Sequence, residues 1–252
     1  MNLGRSLFKP RDYLVVKGYC QICEDRTIFR SKDDWLRDHF FCERCRSIPR
    51  ERSLLYVLNL LYPEWRTLKI HESSPVDRGT SRKIRLECPG YVASHFDQNI
   101  PFGTIHPNGS YRSEDLGHQT FDDESFDLVI TQDVFEHLFS PDLAIRETAR
   151  TLRPGGAHIG TVPLVRREQP SRRRARLYQG QIVHELPPEY HGNPLSPEGS
   201  LVTVDWGFDI AGYLSDISGL STTLFFIDDL QLGLRAKYLE VLVCRKFSIP
   251  KI

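Results

Sequence analysis

The 252-residue chain has a single methionine, no long apolar run and no excess charge of either sign. A bilayer-spanning helix needs roughly 20 consecutive apolar residues, so a helical membrane protein is excluded. Lys plus Arg number 33 and Asp plus Glu number 33. That balance argues against a general polyanion binder while leaving local patches open. The first residues, MNLGRSLFKPRDYLVV, lack the apolar stretch and small-residue cleavage site of a secretory signal. The cytoplasm is therefore the expected compartment. An apolar fraction of 40% with 26% charged residues excludes disorder as the main state. The length suits one large domain, or a medium domain with a small appendage.

Cysteine is sparse but concentrated. Four of the six cysteines form two pairs, Cys20/Cys23 and Cys42/Cys45, separated by 18 residues. In a reducing compartment such pairs point to metal or redox work before disulfides. Two CxxC knuckles at ribbon-like spacing can aim four thiolates at one ion, which favours a structural zinc over free or redox thiols. A closed four-sulfur shell leaves no position for substrate. The intervening segment reads as a short hairpin around Thr27–Ile28–Phe29 and an aromatic approach from Trp35 to Phe41. Cys88 and Cys244 read as ordinary small buried residues. The second knuckle runs directly into a helix, with Ser47 as cap, Ile48–Pro49 at its start, Leu54, Leu55, Leu58 and Leu61 at helical spacing, and Pro63 beyond its end. This arrangement is treble-clef-like, and it divides the chain into a zinc-binding element with its leading helix over 1–62 and a second domain over 63–252. Arg46, Arg50 and Arg52 could hold phosphate, but a solvated helix face is the plainer reading.

From residue 66 the pattern alternates. TLKIHESSP (67–75), PGYVASHF (89–96), FDLVITQ (126–132) and AHIGTVP (157–163) read as strands. SPDLAIRETARTLRPGG (140–156) reads as a helix capped by Ser140, started by Pro141 and ended by Pro154–Gly155–Gly156. Strands alternating with helices imply a parallel α/β sheet with right-handed crossovers. Such sheets bind ligands beyond the carboxyl ends of their strands. The polar residues there are His71, Glu72, Ser73, Ser74, Ser94, His95, Glu114, Asp115, Gln132, Asp133, Glu136 and His137.

The run EDLGHQTFDDESFDLVITQDVFEHLFSPDLAIRETARTLRPGGAHIGTVP (114–163) resembles class I S-adenosylmethionine-dependent methyltransferases, with their EDL…FDxV…EH…ExxRxLxPGG pattern. HESSP upstream and HELPPEYHGNP…GSLVTVDWGFDI (184–210) downstream look like a bacterial subgroup with an N-terminal cysteine knuckle. The resemblance implies a Rossmann-like sheet of order 3-2-1-4-5-7-6, with KYLEVLVCRK (237–246) as its antiparallel strand. It also implies S-adenosylmethionine as cofactor. Carried over by position, Asp115 and Leu116 hold the adenine edge, and Glu72, Ser73 and Ser74 form the turn under the ribose and methionine. Ser94 stands where a ribose-gripping acid is usual, and Gln132 and Asp133 lie beside the methionine end. Two departures stand out. The first turn has no glycine before Gly79, although glycine usually lets the backbone approach the ligand, and the ribose acid is absent.

Methyl transfer asks the protein to position two reactants and to take up a proton where the acceptor needs it. His137 is the first candidate for that proton, with a backbone-bonded histidine as the alternative. His184, Tyr190 and His191, with Glu185 and Asp205, lie in a loop-like acceptor region spanning 164–205. A metal held by His184, Glu185 and His191 matches no recognised spacing. Six arginines, at 166, 167, 172, 173, 174 and 176, form either an anion clamp or a solvated loop. The expected function is methylation of a small-molecule or glycan-type acceptor, which can be anionic, at a hydroxyl. A nucleic-acid methyltransferase is disfavoured by the zero net charge and by TQDV (131–134) where an NPPY-like motif would stand. A third reading is a non-catalytic scaffold of the same fold, which the glycine-free turn supports.

Overall fold

The computed structural model describes residues 12–193 and 196–248. Three short strands open the chain: β1 (Leu14–Cys20), β2 (Asp25–Ser31) and, after the four-residue helix α1 (Leu36–His39), β3 (Phe41–Cys42). They form one antiparallel sheet of order β1-β2-β3. Thr27–Ile28–Phe29 lies inside β2, so the hairpin turn is the first CxxC knuckle itself. Helix α2 (Pro49–Leu61) follows the second knuckle. Its start is fixed by the Glu51 carboxylate, which accepts the Ile48 N–H at 3.1 Å. Ser47 faces the cysteines instead, 3.1 Å from the Cys45 Sγ.

The main sheet has seven strands: β4 (Ile70–Ser73), β5 (Tyr91–His95), β6 (Arg112–Ser113), β7 (Phe126–Gln132), β8 (Leu152–Thr161), and the last two in the chain, β15 (Ser221–Phe225) and β16 (Val241–Arg245). Their spatial order is β6-β5-β4-β7-β8-β16-β15. Numbered in chain order within the sheet, this is 3-2-1-4-5-7-6, as expected. β4, β5, β6, β7 and β8 run parallel, and β16 is antiparallel to both its neighbours. The central strands are buried on both faces: Ile70, Leu128, Val129, Ile130 and Ile159 are fully enclosed. That is why they read as near-continuous apolar runs.

Helix α3 (Gly79–Glu87) joins β4 to β5, and α4 (Pro141–Thr151) joins β7 to β8. Two details of α4 differ from expectation. Ser140 makes no side-chain cap bond. The helix stops at Thr151, and Pro154–Gly155–Gly156 lies within β8. Gly155 has φ +87° there, and a Cβ on Gly156 would lie 2.6 Å from the Asp127 carbonyl oxygen. The glycines thus shape the strand's beginning beside β7, where the ladder shifts register. The segment read as loop is also strand: β9 (Arg172–Arg173), β10 (Ala175–Tyr178), β11 (Gln181–His184), β12 (Tyr190–Asn193), β13 (Ser196–Leu201) and β14 (Val204–Asp205) pair as β10-β11, β12-β13 and β9-β14. Helix α5 (Ile210–Ser218) returns the chain to the sheet.

One apolar cluster contains Cys20, Phe29 and Cys42 of the first sheet, Phe40 between α1 and β3, Leu54, Leu55 and Leu58 of α2, and Ile70, Leu128 and Ile159 of the large sheet. The cysteine element therefore packs into the same core as the strands it precedes. Among the described residues no helix is long and apolar enough to cross a membrane.

Candidate active site and cysteine cluster

The CxxC knuckles bring four sulfurs together. Cys20 and Cys45 Sγ are 3.7 Å apart, and Cys23 and Cys42 Sγ are 3.8 Å apart. Four sulfurs about 2.3 Å from a tetrahedral zinc stand about 3.8 Å from one another. The donor set and its spacing fit that ion. Behind it lies Arg52, fully buried, in contradiction to a solvated helix face. Its guanidinium donates to the carbonyls of Gly233, Phe40 and Ser47 and stacks 4.6 Å over Phe29. Burial lowers its pKa to about 10, against the raising effect of the nearby cysteine thiolates. A buried cation beside a sulfur-rich site offsets its negative charge.

The carboxyl ends of β4, β5, β6 and β7 form one edge of the large sheet. After β4 the chain turns through Ser74, whose φ is +58°, and the Ser74 N–H donates to the Ser94 carbonyl at 2.7 Å. Serine here adopts the left-handed backbone that glycine adopts at lower cost. The true glycine follows at Gly79, φ +54°, where a Cβ would lie 2.2 Å from Glu51 Oε2. Ser73 is buried. Glu72 is buried and accepts from Ser81 Oγ (2.7 Å), Gln132 Nε2 (2.9 Å) and Tyr91 Oη (2.9 Å). Burial raises its pKa despite these donors. Glu72 and Gln132 thus tie the ends of β4 and β7 together. Ser94 also points inward, with its hydroxyl 2.8 Å from His71 Nε2.

Beyond β5 and β6 a cavity of about 600 Å³ is lined by Phe96, Asn99, Ile100, Phe102 and Asp115 among others. The Phe96 and Phe102 rings lie 5.6 Å apart. Asp115 Oδ1 accepts the Gly117 N–H at 2.8 Å, which fixes the carboxylate at the cavity wall. Leu116 is buried behind it.

At the end of β7, Asp133 has φ +53°. Its carboxylate takes two hydrogen bonds from Arg37 Nη2, at 3.0 and 2.9 Å, one from Thr161 Oγ1 at 3.0 Å, and an ion pair with Arg50 at 3.2 Å. Burial pushes its pKa up, but Arg37 and Arg50 outweigh that and hold it at about 2. Both arginines come from the cysteine element, and Arg50 pairs with Asp38 as well. Sequence reasoning missed this clamp entirely. Arg37 lies 96 residues from Asp133, and no local pattern marks it.

The 3-10 turn Phe135–His137 follows. Thr203 ties it down by donating its N–H to the Glu136 carbonyl at 2.7 Å and its hydroxyl to the Leu138 carbonyl at 2.7 Å. His137 Nδ1 lies 2.9 Å from the Leu201 carbonyl, so that nitrogen carries the proton and Nε2 is left with a free lone pair. Burial lowers the His137 pKa. The β12–β13 hairpin brings His191 against it, with ring centroids 5.1 Å apart at 89°. Tyr190 is exposed beside it. His184 stands exposed at the end of β11, on the other hairpin, and no hydrogen bond or ion pair joins it to His137 or His191 among the described residues. The arginine segment is only partly free. Arg174 pairs with Asp205 at 2.9 Å and Glu189 at 3.2 Å, Arg176 with Glu185, and Arg173 donates to the Phe139 carbonyl at 3.1 Å. A second cavity, of about 430 Å³, is lined by Phe139, Ser140, Arg173, Arg176 and Leu177.

A family model, Methyltransf_11, described as a methyltransferase domain, matches residues 94–160. That span runs from the end of β5 to β8 and includes Asp115, Asp133 and the Glu136–His137 turn. Residues 94–160 thus carry a methyltransferase domain, set in the 3-2-1-4-5-7-6 sheet of class I S-adenosylmethionine-dependent methyltransferases. Among solved structures it is similar to an S-adenosylmethionine-dependent methyltransferase from Mesorhizobium loti, with 15% identity and a TM-score of 0.50 over 77% of this chain and 97% of that one. It is also similar to the PH0226 protein of Pyrococcus horikoshii OT3, with 15% identity and a TM-score of 0.48 over 79% and 90% of the two chains. A curated relative, the hybrid PKS-NRPS synthetase iliA of Neonectria sp. (strain DH2), is 26% identical over 234 residues, which are 85% of this chain. The chain spans 5% of that relative's length.

The family implies S-adenosylmethionine as the methyl donor. The cavity by Phe96, Phe102 and Asp115 has the size and mixed apolar–polar lining of a small-molecule pocket. The Ser74 backbone already has the conformation that the usual glycine supplies.

Proposed function

We propose that this methyltransferase transfers the methyl group of S-adenosylmethionine to a hydroxyl oxygen of a small-molecule or glycan-type acceptor carrying an anionic group. The observation that carries the reading is the meeting of His137 and His191, 5.1 Å apart, at the end of β7 where the family places the methionine part of the donor. Asp115 accepts from the adenine amine, with the Leu116 backbone at the ring edge. Phe96 and Phe102 flank the base. The Glu72–Ser73–Ser74 turn lies beneath the ribose and methionine. Gln132 and Asp133, tied to Glu72 and to the two arginines, hold the β7 end in place rather than reaching for the ligand. S-adenosylmethionine supplies an electrophilic methyl on a sulfonium. The acceptor oxygen attacks that carbon in line, the O–C bond forms, and the S–C bond breaks with its electron pair left on sulfur. The hydroxyl proton leaves from the face that His137 and His191 line. Arg173 and Arg176, at the mouth of the second cavity, suit a phosphate or carboxylate on the acceptor.

Zinc in the four-cysteine site belongs to the same proposal, in a structural role: it fixes α1 and α2, which deliver Arg37 and Arg50 to Asp133. The test is transfer of label from methyl-labelled S-adenosylmethionine to pooled hydroxylated, anionic metabolites. The expected product is a methyl ether. Label appearing in RNA or DNA instead would move the reading to a nucleic-acid methyltransferase, and a folded protein that binds donor and labels nothing would favour the scaffold.

A further inference from the structure

Glu136 is the most anomalous side chain in the molecule. It is 1% exposed, and neither carboxylate oxygen has a hydrogen-bond partner among the described residues. A buried carboxylate without donors is costly. Natural proteins retain one where something outside the chain completes it.

Its surroundings indicate what that is. Glu136 Oε1 lies 3.7 Å from His137 Nε2 and 3.9 Å from His191 Nδ1. The three ligand atoms all lie within 4.8 Å of one another. These gaps are too long for hydrogen bonds and slightly longer than the separation of about 3.0–3.4 Å between adjacent donors around an ion bound at about 2.1 Å. His137 is also held as metal-ligating histidines usually are, by a partner on the other ring nitrogen. His137 presents Nε2 because Nδ1 faces the Leu201 carbonyl at 2.9 Å. His191 presents Nδ1, with Nε2 3.6 Å from Glu189 Oε1. Arg37 and Arg50 pair with Asp133, and among the described residues neither forms an ion pair with Glu136.

We propose that Glu136, His137 and His191 form a binding site for one divalent first-row transition cation, with coordination positions open toward the acceptor. Two imidazoles and one carboxylate suit such ions better than magnesium or calcium. Three protein ligands leave room for water or for substrate oxygens. The site joins the turn after β7 to the β12–β13 hairpin, so the cation also fixes the hairpin that covers the acceptor side. Its role toward the acceptor rests on the methyltransferase reading. There it draws one or two acceptor oxygens into place and eases loss of the hydroxyl proton to solvent water. This makes an acceptor with neighbouring oxygens the class that fits. The binding itself does not depend on that reading.

The test uses the full chain with zinc in the cysteine site and manganese(II) as probe, because manganese does not displace zinc from four thiolates. Dialysed wild-type protein is expected to retain one manganese and to melt higher with it. Glu136→Gln and His191→Ala are each expected to weaken manganese binding at least tenfold. Metal-free Glu136→Gln is expected to melt no lower than metal-free wild type, since it replaces a buried carboxyl group that has no hydrogen-bond partner among the described residues. S-adenosylhomocysteine titrated into the wild type reads the donor site separately from the cation site. Equal manganese binding by wild type and either variant would overturn the site, as would a folded wild type that takes up none. Manganese bound as expected with no S-adenosylhomocysteine binding would keep the cation site and sink the donor reading instead.

Discussion

Single side chains carry two separable expectations. Asp115 stands at the wall of the larger cavity with one oxygen committed to Gly117. Asp115→Ala is expected to weaken S-adenosylhomocysteine binding by about 1–3 kcal/mol, the worth of a hydrogen bond lost in a shielded site. Titration calorimetry measures this directly, and unchanged affinity in a folded variant removes Asp115 from the cofactor site. His71 and His158 concern stability. Both are fully buried, and each has one ring nitrogen with no partner among the described residues. Burial, aided by the charges of Arg112 and His158, lowers the His71 pKa from 6.5 to about 3, and burial lowers that of His158 from 6.5 to about 4. Unfolded, both take up protons near 6.5, so below that pH the unfolded chain binds more protons than the native one. Their contribution is fully present above pH 6.5 and is lost as pH falls toward about 4 and 3. Each loss approaches about 1.4 kcal/mol per pH unit. Denaturant melts across this window should show stability falling with acid, and His158→Gln should flatten the slope. An unchanged slope would show that His158 does not stay neutral in the native state. Residues of this kind were partly legible. The sequence marked His71 as a polar residue at a strand end, but its inward direction came from Ser94 on the neighbouring strand, which no local spacing reveals.

At the scale of elements, legibility followed burial. The strand at Phe126–Gln132 was read to the residue because both its faces are covered and its pattern is nearly unbroken. The six short strands between 172 and 205 were read as loop. Most of their side chains are exposed, and their Pro, Gly and Arg content carries no strand period. The Pro154–Gly155–Gly156 stop was misplaced by a few residues because the same residues serve equally well at the beginning of β8. The cysteine spacing was legible, as its sulfur separations show, but its consequence was not. Through α1 and the start of α2 this element delivers Arg37 and Arg50 to Asp133. Cys42→Ser, or removal of the metal with a strong chelator, is therefore expected to cost at least several kcal/mol, because structural zinc binding is folding free energy. Cofactor affinity should fall with it, as the Asp133 clamp loosens. Thermal melting with and without chelator checks this. A zinc-free Cys42→Ser protein that melts like wild type would remove the structural role.

For the whole molecule, the sheet order is the strongest link between sequence and chemistry. A parallel sheet reversing direction between β4 and β7 opens a crevice at its carboxyl edge. On one side of that crevice lie Phe96, Phe102 and Asp115, and on the other Asp133, Glu136, His137 and His191. The resemblance in residues 114–163 implied the sheet order that the structure has. It did not show that Gln132 is bound to Glu72, that Ser94 is turned inward, or that His191 crosses from a distant hairpin to meet His137, since all three arise from contacts far apart in sequence. The central claim is that this edge binds the methyl donor even though its first turn has serine in place of glycine. Calorimetric titration of the zinc-loaded protein with S-adenosylhomocysteine tests it most directly. Saturable one-to-one binding in the micromolar range, weakened in Asp115→Ala, is the predicted result. A folded, zinc-loaded protein that releases no heat with either S-adenosylhomocysteine or S-adenosylmethionine would contradict it.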